Sequence, residues 1–224
     1  MVMSGEKPRS GAAAGEDASR GPNAPMSLRE RKKQLTYQAV SDAAISMFLE
    51  RGFDKVSVAE VAAAADISKP TLFRYFPSKE DLALHRFADH VDESARVVAA
   101  RADGESPLDA LRRHFLDGLE RRDPVTGLCD VPGVLAFHRL LYGTPSLVAR
   151  LYAYQSRSEA ALARELGDRV PDRLAAGQIV AVLRILAMDN WRLISEGRSA
   201  DQVYGGAVEA AELGFVQLRS GLGQ

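Results

Sequence analysis

The 224-residue sequence predicts an all-α fold, and three observations carry that reading. Apolar residues recur every three or four positions from about Leu28 onward, and no stretch alternates as a half-buried strand would. Serines and threonines open the periodic segments, several with an acidic residue three positions later, which is the arrangement that caps a helix. Glycine and proline fall between the segments and seldom inside them. About nine helices result, a small N-terminal group followed by a larger one.

Residues 1–27 are rich in Gly, Ala, Ser and Pro and carry three cations and three anions, so nothing there can bury a core and a disordered tail is expected. The first helix runs from about Leu28 to Arg51, with Val40, Ala44, Met47 and Phe48 on one face and Gly52 closing it. Ser57 and Glu60 form a capping box that opens a short second helix, "VAEVAAAA". After a break at Asp66–Ile67, Ser68 caps a third helix, which tolerates Pro70 because first-turn amides have no partner. Pro77 ends it. Ser78 and Asp81 make another box, opening a long fourth helix expected to reach about Ala102. "DGESP" marks a boundary, and Ser106–Pro107 starts a helix with a Leu108, Leu111, Phe115, Leu119 stripe. "RDPVTGLCDVPG" reads as loop, then a helix from about Val134 to Tyr142. Thr144 caps and Pro145 begins the next, to about Leu166; Pro171 starts a long one through Glu196; Ser199 caps the last, ending near Arg219.

Composition narrows the function classes. Cys129 is the only cysteine, so no disulfide can form within the chain and a cysteine-based zinc site is excluded. No apolar run approaches the roughly 18 residues of a membrane span, and "MVMSGEKPRSGAAAGEDASR" lacks a secretory signal's apolar core; no membrane association and a cytoplasmic location are expected. The net charge of −1 argues against a nucleic-acid binder, but residues 28–86 carry +2 and residues 87–224 carry −3, and all six lysines lie at or before Lys79. An N-terminal part with its own electrostatic role is the simplest explanation. No nucleophile elbow, phosphate loop or dinucleotide fingerprint is present, and His85 and His90 are spaced wrongly for a metal pair on one helical face. Neither catalysis nor a cofactor nor a metal is expected.

A supporting helix followed by two short helices across a tight turn is the layout of a helix-turn-helix, here at about residues 57–76. Its second short helix can enter a major groove with its N-terminal residues nearest the bases. Groove binding accounts for "SKPTLFRYF": Ser68, Thr71 and Tyr75 offer hydroxyls to phosphates, Lys69 and Arg74 offer cationic donors, and Pro70 and Phe73 offer apolar surface for a thymine methyl. Leu72 and Phe76, four apart, anchor the other side.

The stretch "FDKVSVAEVAAAADISKPTLFRYFPSKEDL" (53–82) resembles the DNA-binding domain of tetracycline-repressor-type (TetR) regulators, and the resemblance covers about 50 residues. It implies an all-α homodimer with a DNA-binding domain at 28–86 and a ligand-binding and dimerisation domain at 87–224. Ser57, Thr71, Tyr75 and Lys79 look like phosphate contacts; Lys69, Pro70, Phe73 and Arg74 look like the base-facing set. Arg29, Arg31, Lys32 and Lys33 of "RERKK" would lie near the DNA backbone or form a solvated face. Two positions depart from the family pattern: Asp66 stands where the turn usually has glycine, and Phe73 replaces a tyrosine.

In the C-terminal part, Gly205, Gly206, Ala207, Ala210, Ala211 and Gly214 allow close approach of a second helix, either within the monomer or across a dimer interface at about 172–219 that the resemblance implies. Candidate ligand contacts are Phe115, Leu119, Phe137, His138, Tyr142, Asn190 and Trp191, an apolar set with a few polar groups; plain core is the alternative for each. The expected function is a ligand-responsive transcriptional regulator, a repressor that a small molecule releases from a palindromic double-stranded operator. An activator or ligand-independent regulator with the same DNA-binding part is the alternative.

Overall fold

The structure is a computed structural model in which residues 28–88 and 90–221 are described, the side chains of 28–30, 32 and 33 excepted. The expected tail and the side chains of Arg29, Lys32 and Lys33 lie outside that description. The chain divides into two units between Thr36 and Tyr37. The described part of the first is the opening of helix α1 (Leu28–Arg51). The second unit holds the remainder of α1 and all later elements.

Gly52 closes α1 at φ +90, a backbone conformation that glycine adopts without strain. Helix α2 (Val58–Ala64) opens on the full Ser57–Glu60 capping box. Asp66 makes the turn at φ +52, taking the left-handed conformation in which aspartate is among the tolerated side chains. Helix α3 (Lys69–Tyr75) begins with the Ser68 hydroxyl accepting the Thr71 amide at 3.2 Å, and ends as Phe76 turns extended before Pro77. Such caps contribute about 1 kcal/mol each.

Helix α4 (Lys79–Ala88) starts on the reciprocal bonds between Ser78 and Asp81 but stops well short of Ala102. The chain turns, and a separate helix, α5 (Glu93–Ala99), follows. No glycine or proline announces this break. The His90 and Val91 amides bond three residues back, to Phe87 and Ala88, and Glu93 is drawn to a histidine of the next helix (His114 Nε2 to Glu93 Oε1, 3.0 Å). Tertiary bonding thus overrides a locally continuous helical pattern, and the count among the described residues becomes ten α-helices.

Helix α6 (Pro107–Glu120) is capped by Ser106 and leads to a single 3-10 turn, Pro124–Thr126. Helices α7 (Pro132–Gly143) and α8 (Pro145–Leu166) meet at Thr144. The Thr144 hydroxyl does not cap α8 as expected; it donates backward to the Leu140 carbonyl at 2.7 Å. Helices α9 (Val170–Ser195) and α10 (Ala200–Ser220) complete the chain. Helix α8 packs on α4, α5 and α9, while α10 packs on α6 and α9.

Two apolar clusters hold these helices. In the first, Phe48, Phe53, Val61, Leu72, Phe76 and Leu82 pack together with Leu141, Leu147 and Leu151 of α7 and α8. The second gathers Leu111, Phe115, Leu119, Leu162, Ile179 and Phe215 from α6, α8, α9 and α10. Gly127 is required where the turn after Thr126 meets α9: its φ is +72, and a Cβ there would lie 1.9 Å from the Ala187 carbonyl oxygen. Among the described residues no helix is long and apolar enough to cross a membrane.

Candidate nucleic-acid interface and a half-open cavity

The short helix α3 presents two faces of opposite character. Leu72 and Phe76 are buried in the first cluster, at 0 % and 2 % exposure. On the other side Lys69, Pro70 and Arg74 are exposed, and so is Phe73, at 41 %, a large apolar ring left in solvent. Thr71 and Tyr75 are half-buried and Ser57 is exposed. The Lys69 ammonium lies 5.8 Å from the Phe73 ring centre and the Arg74 guanidinium 5.6 Å from that of Tyr75, so these cations lean on rings and no carboxylate neutralises them among the described residues. The Ser68 and Thr71 hydroxyls lie 2.8 Å apart, sharing a hydrogen bond at the helix start.

An aromatic brace that helical periodicity did not single out fixes the orientation of α3. Tyr37 of α1 sits 4.8 Å from Tyr75 and 5.3 Å from Phe76, and stacks at 5.5 Å on His85 of α4. Rings at these separations prefer tilted or offset contacts, which add orientation to burial. Lys79 is engaged inside the fold. Its ammonium donates to the Phe53 carbonyl and lies 4.3 Å from the Phe53 ring centre, tying α4 to the corner after α1. Glu60 is doubly held: the Ser57 amide and the Arg51 guanidinium, the latter at 2.6 Å, lower its carboxyl to about 2.

One buried carboxylate joins α4 to α8. Asp81, 5 % exposed, accepts from Arg150 at 2.8 and 2.9 Å and from the Tyr154 hydroxyl at 2.9 Å, besides Ser78. Burial pushes the Asp81 carboxyl up, but the bonds from Arg150, Ser78 and Tyr154 together outweigh it and leave it below the ordinary value.

Tyr154 also lines a half-open cavity of about 210 Å³ between helices α4 to α9 and the 3-10 turn. Its wall is largely apolar, with Phe87, Leu111, Phe115, Leu151, Val180 and Leu183 prominent. At one place Glu93 Oε2 lies 2.8 Å from His90 Nδ1 while Glu93 Oε1 bonds His114, and the two histidines hold the Glu93 carboxyl far below its ordinary value. Of the residues considered from sequence, Phe115 and Tyr142 line the cavity. Leu119 is wholly buried in the second cluster. Asn190 donates to the Thr126 carbonyl at 2.9 Å, holding the turn against α9. Phe137 stacks at 6.0 Å on Phe87. His138 and Trp191 pack at 6.0 Å, and His138 Nδ1 and Trp191 Nε1 have no hydrogen-bond partner among the described residues. Burial lowers the His138 imidazole to about 4. Cys129 is buried. Among the described residues no group of three or more His, Cys, Asp or Glu could hold a metal ion.

Known proteins share this architecture. The family described as "Bacterial regulatory proteins, tetR family" matches residues 40–85, from α1 through α4. The HTH-type transcriptional regulator TcmR of Streptomyces glaucescens is 32 % identical over 149 residues, which is 66 % of each chain. The HTH-type transcriptional repressor LfrR of Mycolicibacterium smegmatis is 24 % identical over 197 residues, covering 86 % of this chain and 96 % of LfrR. Among solved structures, NalD, the secondary repressor of the MexAB-OprM multidrug efflux pump in Pseudomonas aeruginosa, superposes with a TM-score of 0.52 at 17 % identity. That match covers 81 % of this chain and 97 % of NalD, and it shows a shared fold.

Proposed function

Because the chain belongs to the tetR family of bacterial regulatory proteins, we propose that this DNA-binding transcriptional regulator is a homodimeric repressor whose grip on a palindromic operator is released by a small molecule. Residues 28–86 bind DNA and residues 87–224 bind the effector and the second subunit. The observation that carries the reading is the two-faced helix α3: its buried side is braced by rings, while Lys69, Pro70, Phe73 and Arg74 are left to solvent. Two such helices in successive major grooves would read two half-sites. Ser57, Ser68, Thr71 and Tyr75 supply hydroxyls to the phosphates; Lys79 would join them only by leaving the Phe53 carbonyl.

The dimer surface lies on α9 and α10. Leu174 and Ile185 of α9 and Leu213 and Val216 of α10 are exposed apolar side chains, and Gly205 and Gly206 open onto free space. Gly214 serves the monomer, because a Cβ there would lie 3.0 Å from Val182. The effector occupies the cavity and favours a subunit arrangement whose α3 spacing no longer fits the operator. Tyr154, on the cavity wall and bonded to Asp81 at the start of α4, is the route by which occupancy reaches the DNA-binding part.

The test is binding to DNA from upstream of the protein's own gene. Arg74→Ala is expected to weaken binding to that DNA by roughly tenfold or more, the worth of a base-edge contact, and to weaken binding to random DNA much less. Lys69→Ala is expected to do the same. An Arg74→Ala protein with unchanged discrimination would remove α3 from the base-reading role.

A further inference from the structure

The cavity carries one charge that nothing on its wall satisfies. Among the described residues the other half-buried arginines have carboxylates: Arg112 meets Glu212, Arg122 meets Asp201 at 2.7 Å, and Arg150 meets Asp81. Arg184 of α9 is half-buried and lines the cavity, and it has no hydrogen bond or ion pair among the described residues. The carboxylates of the wall are already committed. Glu93 is held by His90 and His114, and Asp123 accepts the Val125 amide at 3.0 Å. Tyr142 lines the same cavity, and burial pushes its phenol up more than the Arg184 charge pulls it down, so the hydroxyl stays protonated and able to donate.

The rest of the wall describes the body of the ligand. Six rings face the space, those of Phe87, His90, His114, Phe115, Tyr142 and Tyr154. At about 210 Å³ it falls below the roughly 300 Å³ at which pockets for drug-sized molecules begin. A half-buried arginine with no carboxylate partner gains from an anion, and arginine suits a carboxylate because its donors form a planar fork.

We propose that this cavity takes a small aromatic carboxylate, its ring system between the aromatic walls and its anionic group on Arg184 and the Tyr142 hydroxyl. The inference rests on the reading of the cavity as the effector site.

Three probes of one shape test it: naphthalene-2-carboxylate, the neutral naphthalene-2-carboxamide, and the cationic naphthalen-2-ylmethylammonium. Binding to the full chain is read by calorimetry and by the fluorescence of Trp191, the single tryptophan, whose ring lies 4.9 Å from Tyr142. The carboxylate is expected to bind about tenfold or more tighter than the carboxamide, in keeping with a charge-assisted bidentate bond, and the ammonium weakest. Arg184→Gln should abolish the preference by weakening the carboxylate alone, and Arg184→Lys should keep part of it. Equal binding of carboxylate and carboxamide, or a preference that survives Arg184→Gln in a protein of normal thermal stability, overturns the anion assignment while leaving the cavity as a binding site. Binding of none of the three overturns the assignment and the effector-site reading together.

Discussion

At the scale of single residues, His138 is a group whose burial has a measurable cost. It is 8 % exposed, its Nδ1 has no partner among the described residues, and burial lowers its imidazole from the ordinary 6.5 to about 4. In the window between those values the unfolded chain binds a proton that the folded chain does not, so stability falls as the pH drops from 6.5 toward 4. The contribution lost is at most about 3 kcal/mol. The protein and a His138→Gln variant, unfolded in urea across that range, should therefore differ in slope, with the variant the flatter; carboxylates such as Asp81 and Glu93 affect both and cancel in the comparison. Parallel curves would contradict a neutral, desolvated His138. Residue-scale features were unevenly legible. The exposed set Lys69, Pro70, Phe73 and Arg74 could be read because a short capped helix leaves few residues to choose from. The Lys79 bond to Phe53, 26 positions away, and the lone charge of Arg184 depend on which distant groups fold beside them.

At the scale of elements, the joint between α4 and α8 is one carboxylate with several donors. Two substitutions there have different expected costs. Tyr154→Phe removes one charge-assisted bond but leaves Arg150 and Ser78 on the carboxylate, and should cost about 1.5 kcal/mol in urea unfolding. Arg150→Met strips Asp81 of its counter-ion while the carboxylate stays buried, and should cost about 3 kcal/mol. Equal and small losses would mean that Asp81 does not hold the joint. Most helix starts were legible because their signals are local: Ser57 with Glu60, Ser106 before Pro107, and Ser199 all cap as expected, whereas the Thr144 hydroxyl turns back to Leu140. The break between α4 and α5 was not, because it is made by bonds across to His114 and by packing on α6 and α8, with no breaker residue in the chain. Most candidate cavity residues were chosen by helical face, and a face does not say which side chains meet at a void. Phe115 and Tyr142 reach it, whereas Asn190 is used to hold the Thr126 turn.

At the scale of the molecule, the helix-turn-helix and the cavity are joined through α4 and α8, with the cavity's Tyr154 touching the joint. A net charge of −1 makes the distribution decisive: a protein that discourages non-specific association with nucleic acid overall must owe its DNA affinity to a local surface. The central claim is that this surface reads base sequence. The measurement that tests it most directly is affinity at two salt concentrations for two duplexes: the genomic fragment that the protein enriches most strongly from its own genome, and a base-shuffled copy. A base-reading surface predicts binding to the selected fragment at least about a thousandfold tighter at physiological salt, with both affinities falling steeply as salt rises. Equal affinity for the selected and shuffled duplexes, at either salt concentration, would contradict it.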